Sequence, residues 1–205
     1  MRKLIINADD LGMSEEQNKQ IQQCIALGVI TSSTLMANGP YFKAGVGIAK
    51  DNPQISVGVH LNIIEFAPLT NEDVFRKHGM VDDAGNFIEG AAFVVSIDEE
   101  LKQAIYEEWD AQICKVESAG IVPSHCDSHE HTHTRTELFE VLCRVIDKHQ
   151  IRRVRRRIIP SIRLMMRAKH QPAAVHYDKS KAFKGKKHSV IYRRIHLFVV
   201  KYKSW

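Results

Sequence analysis

The sequence predicts an α/β fold in which strands alternate with helices. Short segments rich in β-branched residues recur along the first 150 residues, and amphipathic segments with a helical period separate them. Strands that are joined by helices pair in parallel, because the crossover returns the chain to the same end of the sheet. The chain of 205 residues is long enough for one domain with a sizeable core, and its 44% hydrophobic and 26% charged residues are typical of globular proteins.

The predicted elements follow one another in a regular order. Ser14 with Gln17, and Ser96 with Glu99, have the spacing of capping boxes at the start of the first and third helices. Residues 65–95 lack a regular period, and a connection of this length is often a binding loop. The predicted strands cover residues 3–8, 29–37, 55–63 and 121–129, with a further one at 151–154. The predicted helices cover residues 15–27, 41–50, 97–119 and 135–149.

Composition narrows the classes of protein to consider. No apolar run is long enough to span a membrane, and residues 4–6 are too short for the core of a signal peptide. We therefore expect a cytoplasmic protein. The four cysteines are scattered and form no CxxC pair, as is usual for reduced thiols in that compartment.

Charge is distributed unevenly along the chain. Residues 1–149 carry a formal net charge of −11, whereas residues 150–205 carry +16 and a single acidic residue, Asp178. This asymmetry is typical of an arm that binds an anionic surface, or of a segment whose origin differs from that of the rest. We therefore divide the single domain into a core, residues 1–150, and a basic C-terminal segment, residues 151–205.

Residues 123–133, PSHCDSHEHTH, place a histidine or an aspartate at every second position. Alternate side chains of an extended strand point to the same face, so this spacing directs five polar groups in one direction. Imidazole and carboxylate are preferred ligands of Zn²⁺ and similar ions. A solvated, histidine-rich loop is the simpler alternative, but strict alternation favours a metal or catalytic site. The five residues are His125, Asp127, His129, His131 and His133.

Further candidate ligands follow other predicted strands. Asp9 and Asp10 end the first strand, and His60 lies near the end of the third. The carboxyl ends of parallel strands meet at one rim, where active sites of α/β proteins gather. We therefore expect these side chains to join the histidine-rich segment at one site. A turn or a helix cap before Ser14 is the alternative for the aspartate pair.

Four motifs, taken in order, resemble those of the YdjC-like carbohydrate deacetylases over residues 3–155. They are NADDLG (7–12), TSSTLMANGP (31–40), GVHLN (58–62) and HCDSHEHTH (125–133). The resemblance implies a deformed (β/α) barrel of the polysaccharide-deacetylase superfamily. It also implies metal-dependent removal of acetyl groups from N-acetylated sugars such as chitooligosaccharides. The implied ligands of one divalent ion, Mg²⁺ or Zn²⁺, are Asp10, His60 and His129, with Asp9 as the general base.

The chemistry of amide hydrolysis is consistent with these roles. An ion with three protein ligands keeps open positions for a water and for the carbonyl oxygen. Asp9 adjoins a ligand and could take a proton from that water. Asp127 could orient a ligand or a substrate hydroxyl. The remaining candidates, which could line the sugar cleft, are His125, His131, His133 and Asn38.

The chain departs from the family pattern after residue 155. Many family members carry a histidine in a His-Pro-Gly context, a candidate proton donor, and this sequence contains no His-Pro-Gly. The predicted strands are too few to close a barrel. We therefore expect an incomplete barrel, whose divergent or truncated basic segment supplies no regular closing strands and leaves the core partly open.

Two functions remain open on the sequence. The first is a deacetylase whose partner is an N-acetylated oligosaccharide. The second is a vestigial metal site with a basic tail that binds nucleic acid or another anionic surface. The tail lacks a recognisable nucleic-acid-binding motif, which favours the enzyme. We expect neither a nucleic-acid nor a membrane partner, and a homodimer is left open.

Overall fold

The structure, a computed structural model, describes residues 2–155, 175–176 and 195–201. The described strands are β1 (Arg2–Leu11), β2 (Ser32–Leu35), β3 (Ser56–Leu61), β4 (Cys126–Ser128), β5 (Val175–His176) and β6 (Ile195–Lys201). The described helices are α1 (Glu15–Ala26), α2 (Phe42–Asp51), α3 (Glu72–Lys77), α4 (Ala91–Val94), α5 (Glu99–Ser118) and α6 (Thr136–Lys148). A 3-10 helix, His129–Thr134, lies between β4 and α6.

The first four strands pair in parallel. β1 pairs with β2, β2 with β3, and β3 with β4, so the order of the sheet is β4-β3-β2-β1-β6-β5. The predicted α/β class is therefore confirmed. The curled parallel sheet with its helices corresponds to an incomplete, deformed barrel.

The basic C-terminal segment contributes antiparallel strands. β6 pairs with β1 from Arg2↔Lys201 to Ala8↔Ile195, and β5 pairs with β6. β6 is therefore not a parallel closing strand of a barrel, but it does pair with β1, so the expectation that this segment supplies no regular strand next to the core is wrong for residues 195–201. The rest of the segment, residues 156–174, 177–194 and 202–205, lies outside the described residues.

Several predicted boundaries differ from the observed ones. β2 covers only Ser32–Leu35 of the predicted 29–37, and residues 151–154 form only an isolated bridge, from Val154 to Cys126. Residues 65–95 contain α3 and α4 within their irregular course.

The fourth strand is shorter than the predicted 121–129, and the alternation of side chains does not continue to residue 133. β4 covers only Cys126–Ser128, and the chain then enters the 3-10 helix. Glu130 and His131 have left-handed backbone conformations, with φ of 50° and 59°, which an extended strand cannot contain. The prediction of one continuous strand through residue 129 with alternation up to 133 is therefore wrong beyond His129.

The helix caps agree with the sequence at one helix and not at another. The Ser14 hydroxyl accepts a hydrogen bond from the Gln17 N–H (3.0 Å), as predicted for α1. At α5 the cap is Asp98, whose carboxylate accepts from the Leu101 N–H (2.9 Å). Ser96 was the wrong choice, because it lies too far before the first turn to reach the unpaired N–H groups.

Helices α5 and α6 pack on each other, and α5 also packs on β3. The side chains of Ile105, Trp109 and Ile113 on α5 are fully buried. Burying one large aliphatic side chain stabilises a fold by about 1.5–3 kcal/mol, so these contacts fix the helices against the sheet. The predicted apolar face of α6 is also buried, through Leu138, Val141, Leu142 and Val145. In the part of the chain that the structure describes, every helix is too short or too polar to cross a membrane.

Two turns approach each other closely where β1 and β2 end. Gly12, in the turn after β1, has a φ of +91°, and its carbonyl oxygen accepts from the Tyr41 N–H (3.0 Å). A Cβ built on Gly39 would overlap the carbonyl group of Gly12. Since backbone atoms cannot rotate away as a side chain can, the contact requires glycine at position 39.

We expect Gly39→Ala to lower the free energy of unfolding by about 1–3 kcal/mol, because the added methyl group overpacks against backbone. Gly47→Ala is the matched control. Gly47 is exposed in α2, a Cβ there would meet nothing within 4 Å, and alanine should be neutral or stabilise by about 0.5–1 kcal/mol. Urea unfolding followed by circular dichroism measures both variants. Equal stabilities would contradict the requirement for glycine at position 39.

Candidate metal centre

The pairing of β1 becomes irregular where its two aspartates lie. The pairing of β1 with β2 shifts between Ala8 and Leu11, and Asp10 has a left-handed φ of 68°. Neighbouring residues of a regular strand point to opposite faces, but a bulge changes the direction of one of them. Asp9 and Asp10 are 5% and 3% exposed. A non-glycine residue in this conformation costs about 1–3 kcal/mol, and such residues cluster at functional sites.

Three predicted ligands meet at one point. His60 Nε2 lies 3.1 Å from Asp10 Oδ1, and His129 Nδ1 lies 2.9 Å from the same oxygen. The two ring nitrogens, His60 Nε2 and His129 Nδ1, are 3.3 Å apart. All three residues are buried. The sequence had placed them at the ends of three different strands, and the structure brings them together.

This arrangement fits a divalent ion. Bonds of about 2.1 Å in tetrahedral geometry place ligand atoms about 3.4 Å apart, close to the separations observed here. One carboxylate and two imidazoles suit Zn²⁺ and related ions, and three protein ligands leave positions open. Two further groups of candidate ligands exist among the described residues, around Asp110 and around Asp98, but only the group at the strand ends is buried throughout.

Asp127 orients the first of these histidines. Asp127 Oδ1 lies 2.6 Å from His60 Nδ1, and the Thr34 hydroxyl lies 3.2 Å from the same nitrogen. An Nδ1–H that donates to the carboxylate leaves Nε2 directed at Asp10. Burial lowers the pKa of His60, but the carboxylates of Asp127 and Asp10 raise it more, so the pKa lies well above its ordinary value. The predicted orienting role of Asp127 agrees with this contact.

Arg155 forms ion pairs with two aspartates, Asp9 and Asp127, next to the candidate metal centre. Its Nη1 lies 2.5 Å from Asp9 Oδ2 and 3.0 Å from Asp127 Oδ2, and the Arg155 side chain is only 7% exposed. The other carboxylate oxygen of Asp9 accepts from the Asn7 amide (2.7 Å). Burial raises the pKa of Asp127, but the nearby His60 and Arg155 lower it by more, so the pKa of Asp127 lies below its usual range.

Arg155 was not predicted from the sequence. It lies in a run of arginines in which no spacing distinguishes one from the next. The Arg155 N–H donates to the Cys126 carbonyl (3.0 Å), and the Cys126 N–H donates to the Arg153 carbonyl (2.9 Å), which places residue 155 beside β4. Its position directly after the predicted strand 151–154 could have indicated it, because the carboxyl end of that strand would lie at the same rim of the sheet as the ligands.

His133 does not face the centre. Its Nε2 lies 2.9 Å from the Arg155 carbonyl oxygen and must donate to it, so Nδ1 accepts from the Ser128 hydroxyl (2.5 Å). Burial lowers the pKa of His133 to about 4, which keeps the ring neutral. Both ring nitrogens are thus paired: Nδ1 fixes the ring to Ser128, and Nε2 holds the backbone carbonyl of Arg155.

Burial lowers the pKa of both His125 and His131. His125 Nδ1 lies 2.8 Å from the Ser124 hydroxyl, and its ring would overlap a Cβ at Gly58. Burial, with Arg155 and His133 nearby, lowers the pKa of His131 to about 3. Contact of either ring with a sugar stays a prediction.

Asn38 serves the loop that follows β3. Its amide nitrogen lies 3.2 Å from the carbonyl oxygens of Glu65 and Ala67, and its Oδ1 accepts from the Asn62 amide (3.0 Å). The loop places the Glu65 carboxylate 3.8 Å from His129 Nε2. The predicted place of Asn38 in the sugar cleft stays a prediction. Asn62 and Glu65 were not predicted, because no periodic pattern marks the residues of an irregular loop.

Comparisons with known proteins agree with the motifs. The model of the YdjC-like protein family matches residues 3–201. A carbohydrate deacetylase of Clostridium beijerinckii is 36% identical over 149 residues, which are 73% of this chain and 58% of that protein. One of Halalkalibacterium halodurans is 33% identical over 150 residues, 73% of this chain and 62% of that protein. The chain thus spans about three-fifths of the length of these relatives.

A solved structure supports the same assignment. The crystal structure of a protein described as a cellobiose-phosphate cleavage protein, from Enterococcus faecalis, superimposes with a TM-score of 0.62 at 31% identity. The match covers 72% of this chain and 56% of that one. Since the family model extends over nearly the whole sequence, the chain belongs to the YdjC-like protein family.

Proposed function

We propose that this chain carries the catalytic centre of a carbohydrate deacetylase, which hydrolyses the N-acetyl group of chitooligosaccharide-type sugars. The observation that carries the proposal is the meeting of Asp10, His60 and His129 at one buried point, beside Asp9. Carbohydrate deacetylase is also the name of the relatives compared above. The substrate class follows from the family resemblance.

The proposed ligands are Asp10 Oδ1, His60 Nε2 and His129 Nδ1. An Mg²⁺ or Zn²⁺ ion bound there would lower the pKa of a water molecule and polarise the amide carbonyl. The protein's part is to hold the three atoms in position. Asp127 fixes the ring of His60 from its outer nitrogen, as carboxylates commonly do for ligating histidines.

Asp9 is the proposed general base. It directly precedes Asp10 and lies in the same buried region. Its two oxygens accept from Asn7 and Arg155, and a carboxylate has lone pairs to accept further hydrogen bonds. A base must lie within hydrogen-bond reach of the proton that it takes, and the contact of Asp9 with Arg155, which also contacts Asp127, supports a position of Asp9 beside the ligands.

The function is tested by acetate release from di-N-acetylchitobiose. We expect release that EDTA abolishes and that added Zn²⁺ or Mg²⁺ restores, together with stoichiometric binding of the ion in calorimetry. Binding of neither ion would refute the metal centre. Binding without acetate release from any N-acetylated oligosaccharide would refute the proposed reaction and favour a vestigial site.

Asp9 and Asp10 should behave differently when each is changed to asparagine. Asp9→Asn should bind the ion as the parent does but lose about 10²–10⁴-fold in turnover, because only the base is removed. Asp10→Asn should lose affinity for the ion itself. Calorimetry and acetate release, measured on both variants, separate the two roles. A parental rate for Asp9→Asn would move the base to another residue.

Arg155→Met should lower the free energy of unfolding by about 3–5 kcal/mol, because it leaves the buried carboxylates of Asp9 and Asp127 without their shared cation. Arg153→Met is the matched control, since the Arg153 side chain is exposed and, among the described residues, its guanidinium forms a long hydrogen bond to the Ser124 carbonyl at 3.5 Å. Its effect should stay within about 0.5 kcal/mol. Urea unfolding of the two variants decides the matter: similar losses would mean that Arg155 does not stabilise the aspartates.

A further inference from the structure

The carboxylate of Glu65 lies on the outer side of the proposed centre. Glu65 Oε1 is 3.8 Å from His129 Nε2, the ring nitrogen that points away from Asp10. The Glu65 side chain is 32% exposed, whereas that of His129 is 5% exposed. The separation is that of an ion pair rather than of a hydrogen bond, so Glu65 acts on this nitrogen through its charge.

The backbone of Glu65 is firmly held. Its N–H donates to Asn62 Oδ1 (3.2 Å), and its carbonyl oxygen accepts from the amides of Asn62 (2.7 Å) and Asn38 (3.2 Å). The next residue, Phe66, has a left-handed φ of 65°, and its carbonyl accepts from the Phe87 N–H (2.9 Å). These hydrogen bonds therefore fix the backbone position of residue 65.

A buried polar network ties the same loop to α5. Gln112 forms two hydrogen bonds with the backbone of Asn62, at 2.9 and 2.6 Å. Glu108 accepts from the N–H groups of Leu69 and Thr70, both at 2.8 Å. Glu108 and Gln112 are fully buried. Buried polar groups of this kind rigidify a structure when all are paired, so the loop is held in place by the fold.

Each of the two ligand histidines then has a carboxylate on the side away from Asp10, hydrogen-bonded to His60 at 2.6 Å and at ion-pair distance, 3.8 Å, from His129. His60 has Asp127 at its outer nitrogen, and His129 has Glu65 at its own. A ligating histidine commonly directs its other N–H at a carboxylate, which fixes the tautomer and makes the metal-facing nitrogen more basic. Without a cation, a further carboxylate near Asp10 would add repulsion, and a divalent ion removes that cost.

We infer that Glu65 is a positioning residue of the centre, which holds His129 with Nε2 protonated and Nδ1 directed at the ion. The inference rests on the proposed function. It concerns a residue outside the predicted ligands and base, and it assigns to the loop after β3 a direct part in the strength of metal binding.

The test compares Glu65→Gln with Glu89→Gln, using Zn²⁺ alone as the probe. Glutamine keeps the size of the side chain and removes its charge. Glu89 is exposed and lies outside the centre. We expect calorimetry to show about 10–100-fold weaker Zn²⁺ binding by Glu65→Gln and parental binding by Glu89→Gln, with equal urea unfolding midpoints for the two ion-free variants.

Imidazole ¹⁵N NMR of the Zn²⁺-loaded chain supplies a second readout. The Nε2–H of His129 should exchange with water faster in Glu65→Gln than in the parent or in Glu89→Gln. Parental Zn²⁺ affinity and exchange in Glu65→Gln would overturn the inference and leave the metal centre intact. A parent chain that does not bind Zn²⁺ or Mg²⁺ would instead overturn the proposed function itself.

Discussion

Pairing of buried charges at the ends of the parallel strands is the constraint on which the site depends. An ionised group costs several kcal/mol to bury unless a partner compensates it. Asp127 is fully buried and contacts His60 with one oxygen and Arg155 with the other. Arg155 continues the contacts to Asp9, and His60 continues them to Asp10. Loss of one member removes a compensating charge from a buried neighbour, so we expect these positions to be energetically coupled.

The register of the sheet explains why the inner part of the site was predictable. His60 lies directly beside Asp127 in the pairing of β3 with β4, so their contact follows from parallel pairing alone. The alternation of side chains holds through His129, and the meeting of strand ends adds Asp10. The pattern fails at Glu130 and His131, whose left-handed backbones turn the chain. Two-residue spacing in a sequence carries no information on where an extended segment ends.

The features that were missed depend on contacts between distant parts of the chain. Arg155 is one of several arginines, and only its proximity to β4 distinguishes it. The network of Asn62, Gln112 and Glu108 joins a loop to a helix across about forty to fifty residues, which no local pattern reports. The high net charge of the basic segment also led to the wrong expectation that it forms no regular strand beside the core. Residues 195–201, IHLFVVK, are mostly apolar, so this stretch can pair with β1 although its surroundings in the sequence are strongly basic.

The charged residues around the candidate metal centre differ in their exposure to solvent, and this difference distinguishes an enclosed side of the site from a more open one. Asp127 is fully enclosed and Arg155 nearly so, whereas Glu65 is about one-third exposed. Glu65 is therefore the more exposed of these partners, and the proposed sugar substrate would approach from the side of His129 and Glu65. The wall on that side is the loop after β3, fixed to α5 through Glu108. Burial raises the pKa of Glu108, and its hydrogen bonds to Gln112, Thr70 and Leu69 oppose that rise. The buried carboxylate of Glu108 thus holds the loop after β3, which carries Glu65, against α5.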